Sequence, residues 1–182
     1  MSVSDENLIR AIKHGDQEAM EQLIHNWYPR IYAYVLRTLR NETDAHDVTQ
    51  ETFLSMIKSI ENFKPWGKFQ SWLFRIAHNK CMDFFRIRSV INTHTELLHE
   101  ERLYERVHDG IDIETMITNA VMIEEALGKL SIMQREAIVL YYFNGFNSRE
   151  IAQITETPIT TIKSRISAAK KLLAYYLKEE LV

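Results

Sequence analysis

Apolar side chains recur at steps of three and four residues along most of the chain. The first run contains Leu8, Ile12, Ala19 and Leu23, and a second run extends over residues 31–39. Steps of three and four residues place side chains on one face of an α-helix. The amino-terminal part of the sequence therefore predicts a bundle of amphipathic helices.

Two further helices are predicted before residue 89. One begins near Asp44 and ends before segment 64–67, which contains the helix breakers Pro65 and Gly67. The next runs from about Phe69 to Arg88, and one of its faces carries Phe69, Leu73, Ile76 and Phe84. A second face carries polar side chains at steps of four, four and three residues: Arg75, Asn79, Asp83 and Arg86. We expect the apolar face, with Trp72, to pack in a core and the polar face to be available to a partner.

Residues 89–118 interrupt this helical pattern. They are acidic, hold three of the seven histidines and contain the turn dipeptide Asp109-Gly110. A connection of about 30 residues is far longer than the usual connection of about 4 to 6 residues. Helical periodicity resumes at Asn119, and the scarcity of glycine and proline favours helices over turn-rich β-structure. The sequence therefore predicts an all-α protein with two small helical domains, 1–88 and 119–182, joined by an acidic linker, 89–118.

The carboxy-terminal part contains the signals of a short helix, a tight turn and a longer helix. A helix from Met133 to Phe143 is predicted to end at Asn144-Gly145 in a left-handed conformation. Asn147 and Glu150 form a capping box for a short helix, 148–154. Thr157-Pro158 then predicts an N-cap and a proline at the first position of the last helix.

The last helix has one apolar and one small polar or basic face. We expect the apolar side chains to face inward, namely Ile159, Ile162, Ile166, Ala169 and Leu173. The outward face carries Thr160, Lys163, Ser164 and Ser167, with Arg165 at its flank. Lysine and arginine attract phosphates, and short hydroxyl side chains allow close approach to a major groove. The pattern indicates a DNA-binding helix-turn-helix, and the alternative is a helical hairpin that packs against the first domain.

The formal net charge of −3 hides alternating acidic and basic blocks. Residues 41–61 carry five acids and one lysine, whereas 64–88 carry six bases and one acid. Residues 89–118 carry seven acids and two arginines, whereas 149–171 carry five bases and two acids. Two basic blocks suggest two nucleic-acid contacts, although solvated helix faces would give the same pattern.

Two sets of motifs resemble a known family. The first comprises Leu130-Ser131, Gln134-Arg135-Glu136, Glu150-Ile151-Ala152 and Thr161-Ile162-Lys163-Ser164-Arg165, which resemble region four of bacterial sigma factors of the extracytoplasmic function group. The second comprises residues 44–53 and 69–79, which resemble region two of the same group. The resemblance covers nearly the whole chain, with one departure at Glu156, where the family often places glycine.

The resemblance implies binding to core RNA polymerase and to promoter DNA. The acidic helix would bind the polymerase through Asp44, Asp47, Gln50 and Glu51. Region two would hold an unstacked base of the minus-ten element and nearby phosphates with Phe63, Lys64, Trp66, Lys68, Arg75, Asn79, Asp83 and Arg86. Region four would contact the minus-35 element with Thr160, Thr161, Lys163, Ser164, Arg165 and Ser167. The resemblance also implies an anti-sigma factor, which is often membrane-anchored in this group.

The sequence offers little support for catalysis or for a cofactor. Asp44, His46 and Asp47 lack a second cluster with which to bind a metal, and neither a phosphate-binding glycine loop nor a nucleophile motif is present. Cys81 is the single cysteine, and neither a signal peptide nor a membrane span is predicted. We therefore expect a cytoplasmic sigma factor with no enzymatic activity, cofactor or small-molecule substrate. The alternative is a free-standing helix-turn-helix regulator, for which no dimerisation element is evident.

Overall fold

The computed structural model describes residues 4–64, 68–92 and 120–179, and these residues form helices without a β-strand. The elements are α1 Asp5–Ile12, α2 Gln17–Leu39, α3 Glu42–Ser59, a 3₁₀ turn Ile60–Asn62, α4 Phe69–Asn92, α5 Ala120–Gly128, α6 Ile132–Ile138, a π-helix Val139–Phe143, α7 Ser148–Ile154 and α8 Ile159–Glu179. The prediction of an all-α protein is confirmed. Helices α1–α3 and α4 as far as Arg88 belong to one compact unit, and α5, α6, α8 and most of α7 belong to another.

Helices α1–α3 each begin at a side-chain cap. Ser4 Oγ accepts a hydrogen bond from the Asn7 N–H, Asp16 Oδ1 from Ala19 and Asn41 Oδ1 from Asp44. Such caps satisfy N–H groups that have no partner in the first turn. Between α2 and α3, Arg40 adopts a left-handed conformation with φ of 58°, which ends α2 and lets α3 turn back along it.

The core of the first unit lies between α2, α3 and α4. Its fully buried side chains include Leu23, Ile31, Tyr34, Met56, Leu73 and Phe74. The rings of Tyr34 and Phe74 meet edge to face, with centroids 5.2 Å apart. The large apolar side chains of α2 and α4 therefore account for most of this core.

The buried face of α4 differs in part from the predicted one. Phe69 and Leu73 are buried as expected, but Phe74, Ala77 and Cys81 complete the face. Ile76 and Phe84 are only half-buried. Ile76 lies at the edge of the face that contains residues 73, 77 and 81, because each residue of an α-helix turns it by about 100°. Helix α4 also continues to Asn92, past the predicted end at Arg88, whereas the remainder of the predicted linker and its end at Asn119 lie outside the described residues.

The second unit packs α8 against α5 and α6. Ile162, Ile166, Ala169 and Leu173 of α8 are buried, as the sequence predicts. The expectation for Ile159 is wrong, since its side chain is 36% exposed. Ile159 is the first residue of α8 and precedes the part of the helix that is packed, so its side chain remains at the surface.

Helix α6 begins at a capping box that the sequence analysis did not identify. Ser131 Oγ accepts from the Gln134 N–H, and Gln134 Oε1 accepts from the Ser131 N–H. The helix predicted over 133–143 is α-helical only to Ile138 and continues as the π-helix. No helix among the described residues is both long and apolar enough to cross a bilayer.

Candidate nucleic-acid interface

Helices α7 and α8 and the four residues between them form a helix-turn-helix. The predicted capping box of α7 is present, because Asn147 Oδ1 accepts from the N–H groups of Arg149 and Glu150 at 3.0 and 3.1 Å, and Glu150 Oε2 accepts from the Asn147 N–H at 3.0 Å. Gly145 has the expected left-handed φ of 73°. The chain reversal after the π-helix and the start of α7 are therefore determined by local side-chain and backbone geometry.

The turn itself contains a non-glycine residue in a left-handed conformation. Glu156 has a φ of 50°, at the position where the family often has glycine. The Thr157 N–H donates to the Ala152 carbonyl, and the Ile162 N–H donates to the Pro158 carbonyl. Helix α8 thus begins at Ile159, one residue later than predicted, and the proline carbonyl accepts its first hydrogen bond.

The exposed face of α8 carries the side chains predicted to reach DNA. Thr160, Lys163, Ser164 and Ser167 are exposed, while Thr161 and Arg165 are half-buried at the flank. Two further lysines, 170 and 171, continue the basic surface, and Lys170 Nζ lies 5.5 Å from the centroid of the Tyr142 ring. The helix therefore presents two basic and four hydroxyl side chains within two turns.

Arg149 is a candidate site residue that the sequence did not predict. This arginine is exposed at the second position of α7, the helix that crosses the DNA backbone in helix-turn-helix proteins. Its place two residues after the Asn147 cap, in the first turn of α7, is the signal that would have identified it.

The polar face predicted on α4 is exposed. Arg75, Asn79, Asp83 and Arg86 all reach solvent. Arg86 Nη1 lies 2.7 Å from Asp83 Oδ1, so the Asp83 carboxylate is already paired with a neighbouring base. The exposed lysines at 64 and 68 precede this helix, while Trp66 lies outside the described residues.

Phe63 is not a surface residue, so the expectation that its ring meets a DNA base needs correction. The side chain is only 7% exposed, and its ring packs against Phe69 and Trp72 with centroids 5.7 and 4.9 Å apart. Burying a large aromatic side chain in this cluster stabilises the core, which explains its inward position. Trp72 is half-buried in the same cluster.

The acidic helix α3 presents a mixed acidic and apolar surface. Asp47, Gln50 and Glu51 are exposed, and Asp44 is partly exposed. Glu51 pairs with Lys80 at 3.4 Å and Asp44 pairs with Arg88 at 3.1 Å, so part of the acidity of α3 is balanced by α4. Two exposed apolar side chains continue this surface, Leu54 and Ile57, which are 48% and 40% exposed. The sequence did not predict their part in it.

An aromatic cluster lies beside this surface. The ring of Tyr28 stacks on those of Tyr32 and Phe53, and the Tyr32 ring lies 4.5 Å from that of His46. Desolvation, followed by the charges of Glu42 and Tyr28, raises the pKa of the Tyr32 phenol above its ordinary value. Within the described residues, no group of three or more histidine, cysteine, aspartate or glutamate side chains is arranged to hold a metal ion.

Two family models match the chain, and together they cover more than half of it. Residues 23–90 match sigma-70 region 2, and residues 120–173 match sigma-70 region 4. A similar protein is the ECF RNA polymerase sigma factor SigW of Bacillus subtilis, 29% identical over 94% of this chain and 95% of that protein. Another is the ECF sigma factor SigE of Mycolicibacterium smegmatis, 33% identical over 90% of this chain and 64% of that protein.

Two solved structures are similar along most of the chain. The sigma factor RpoE of Bartonella quintana, crystallised with the anti-sigma factor NepR, has a TM-score of 0.69 and 26% identity over 87% of this chain and 96% of that one. CnrH, solved with the cytosolic domain of CnrY, has a TM-score of 0.68 and 27% identity over 96% of this chain and 97% of that one. By its two region matches and its relatives, the chain belongs to the extracytoplasmic function group of RNA polymerase sigma factors.

Proposed function

We propose that the two units of this alternative sigma factor contact different parts of the transcription complex. The second unit binds the minus-35 element through α8, and the first unit binds the minus-ten element and core RNA polymerase. The observation that carries this assignment is the exposed face of α8, which bears basic and hydroxyl side chains. This helix follows a short capped helix and a tight turn.

Minus-35 recognition is assigned to the first two turns of α8. A helix in the major groove reads base edges with side chains of its amino-terminal turns, which here are the exposed Thr160, Lys163, Ser164 and Ser167 and the half-buried Thr161. Arg165 at the flank of this face and the exposed Arg149 on α7 are assigned contacts with phosphates.

Minus-ten recognition is assigned to the residues around the start of α4 and to its exposed polar face. Single-stranded DNA binding combines cations that follow the backbone with groups that stack on or hydrogen-bond to bases. Lys64, Lys68, Arg75 and Arg86 supply the cations, and Asn79 and Asp83 supply hydrogen-bonding groups. Phe63 supports this surface from the core, and Trp66 remains a candidate to stack on a base.

Polymerase binding is assigned to α3. Asp47, Gln50 and Glu51 provide polar and acidic groups, Asp44 lies at the edge, and Leu54 with Ile57 adds apolar area. A surface that combines exposed apolar side chains with acids suits a protein partner with a basic rim.

The second partner that we assign to the protein is an anti-sigma factor, which in this group is often anchored in the membrane. We expect the protein itself to act in the cytoplasm and to catalyse no reaction. NepR and CnrY bind the two similar sigma factors.

The test is run-off transcription with purified protein and bacterial core RNA polymerase, from the promoter upstream of the protein's own gene. We expect transcripts only when both components are present. If the protein binds duplex DNA alone and adds no promoter selectivity to the polymerase, it is a free-standing regulator and the proposal fails.

The assignment of α8 is tested with Lys163→Ala. Loss of a base or phosphate contact costs about 1 to 3 kcal/mol, so we expect run-off to fall about tenfold at subsaturating DNA. Lys129→Ala removes an exposed lysine of the same unit outside α8 and serves as the control. Equal activity of the two variants would contradict the assignment.

A further inference from the structure

Helix α1 lies outside the region-two match, which begins at residue 23. Its Leu8 and Ile9 side chains are buried, and the helix packs on α2. Arg10 and Lys13 lie on its exposed side. The burial of two aliphatic side chains explains why α1 docks, but it does not explain two polar contacts that α1 makes near the start of α4.

The first contact is between Lys13 and the backbone before Lys64. Lys13 Nζ donates a hydrogen bond to the Phe63 carbonyl oxygen at 2.7 Å. This carbonyl follows the 3₁₀ turn, and the Phe63 N–H donates to the Ile60 carbonyl. A charged donor to a carbonyl makes a short, strong hydrogen bond, so Lys13 holds the peptide group that leads into residue 64.

The second contact reaches the start of α4 through a tryptophan. Asp5 Oδ1 accepts from the Trp27 indole N–H at 3.1 Å. The Trp27 ring meets that of Phe69 edge to face, with centroids 5.7 Å apart. Phe69 is the first residue of α4, and its ring also contacts Phe63, so α1 braces residues on both sides of segment 64–68.

The two contacts hold residues next to the proposed minus-ten cations. Lys64 directly follows the peptide group held by Lys13, and Lys68 directly precedes Phe69. Cations that are fixed before DNA arrives lose less conformational entropy on binding. Loss of the Lys13 hydrogen bond would therefore weaken single-strand binding without removing a group that touches DNA.

We propose that Lys13 is a positioning residue for minus-ten recognition, acting through the Phe63 carbonyl, with Asp5 and Trp27 supporting the start of α4. This inference rests on the proposed minus-ten role of residues 64–86. It assigns to α1 a part in promoter melting that the region-two match does not cover.

The test measures binding of a single-stranded minus-ten oligonucleotide, with 2-aminopurine in the element, to the full-length protein assembled with core polymerase. For Lys13→Met we expect a five- to tenfold loss of affinity and a weaker fluorescence change on binding. Because no phosphate contact is lost, the slope of log K against log salt should stay unchanged, whereas loss of one contact lowers it by about 0.7. Lys13→Arg should restore binding.

Two further variants separate positioning from charge and from folding. Arg10→Met removes an exposed positive charge from the last turn of α1, three residues before Lys13, and should leave binding unchanged. Asp5→Ala removes the acceptor of the Trp27 indole and should cause a two- to threefold loss. Unchanged binding of Lys13→Met, a reduced salt slope, or a parallel loss of polymerase binding and melting temperature would overturn the inference. Failure of the unsubstituted holoenzyme to bind the oligonucleotide would instead refute the minus-ten assignment itself.

Discussion

Arg135 stabilises the second unit through the backbone of a neighbouring turn. Its Nε donates to the Leu127 carbonyl and its Nη2 to the Leu130 carbonyl, both at 3.0 Å, and the side chain is buried. The Leu127 carbonyl also accepts from the Leu130 N–H at 3.3 Å, so the guanidinium adds a second donor there and a donor to the Leu130 carbonyl in the turn that follows α5. A planar guanidinium supplies the separate donors that this arrangement needs.

Replacing Arg135 should therefore destabilise the protein strongly. We expect Arg135→Met to lower the free energy of unfolding by about 1 to 3 kcal/mol, because the buried Leu130 carbonyl loses its guanidinium donor and the Leu127 carbonyl keeps only the Leu130 N–H. Urea unfolding measures the loss. Arg135→Lys should recover only part of it, because one ammonium group is poorly placed to reach both carbonyls, and full recovery would contradict this explanation.

The left-handed backbone conformation of Glu156 leads to a second prediction at the residue scale. A branched side chain is strained at a φ of 50°, whereas glycine adopts this conformation freely. We expect Glu156→Val to be about 1 to 3 kcal/mol less stable than Glu156→Gly, as judged by thermal unfolding of the two variants. Equal melting temperatures would show that the turn readily takes another conformation.

At the scale of an element, the start of α7 depends on one side chain. Asn147 accepts hydrogen bonds from two N–H groups of the first turn. We expect Asn147→Ala to lower the free energy of unfolding by about 1 kcal/mol and to weaken binding to a minus-35 duplex. Ser148→Ala, at the next position, is the control. If both variants behave alike in urea titration, the cap does not determine the position of α7.

Local signals explain which elements were predictable from the sequence. The capping box of Asn147 and Glu150 and the left-handed Gly145 follow from residues close in sequence, and both are present. The π-helix was not predictable, because its sequence, 139–143, reads as ordinary apolar helix. Phe63 directly precedes Lys64, which favoured a surface position, whereas its burial depends on contacts with Phe69 and Trp72 of α4 that the local sequence does not reveal.

At the scale of the whole molecule, polymerase and minus-35 binding are assigned to different units. We expect Asp47→Arg to weaken core polymerase binding at least tenfold, because it reverses an exposed charge on α3. Binding of the isolated protein to a minus-35 duplex should not change. Glu21→Arg makes the same charge reversal on α2 and serves as the control. Equal losses in both variants would indicate a general charge effect.

Because Cys81 is buried, the reactivity of its thiol reports how often the first unit opens. It is the only cysteine in the sequence, and its side chain is 0% exposed in the core of the first unit. A thiol reagent can reach it only when α4 moves away from that core, so the rate of modification follows the opening equilibrium of the first unit. Pulse labelling followed by mass spectrometry would therefore measure the stability of this unit in the intact chain, separately from that of the helix-turn-helix unit.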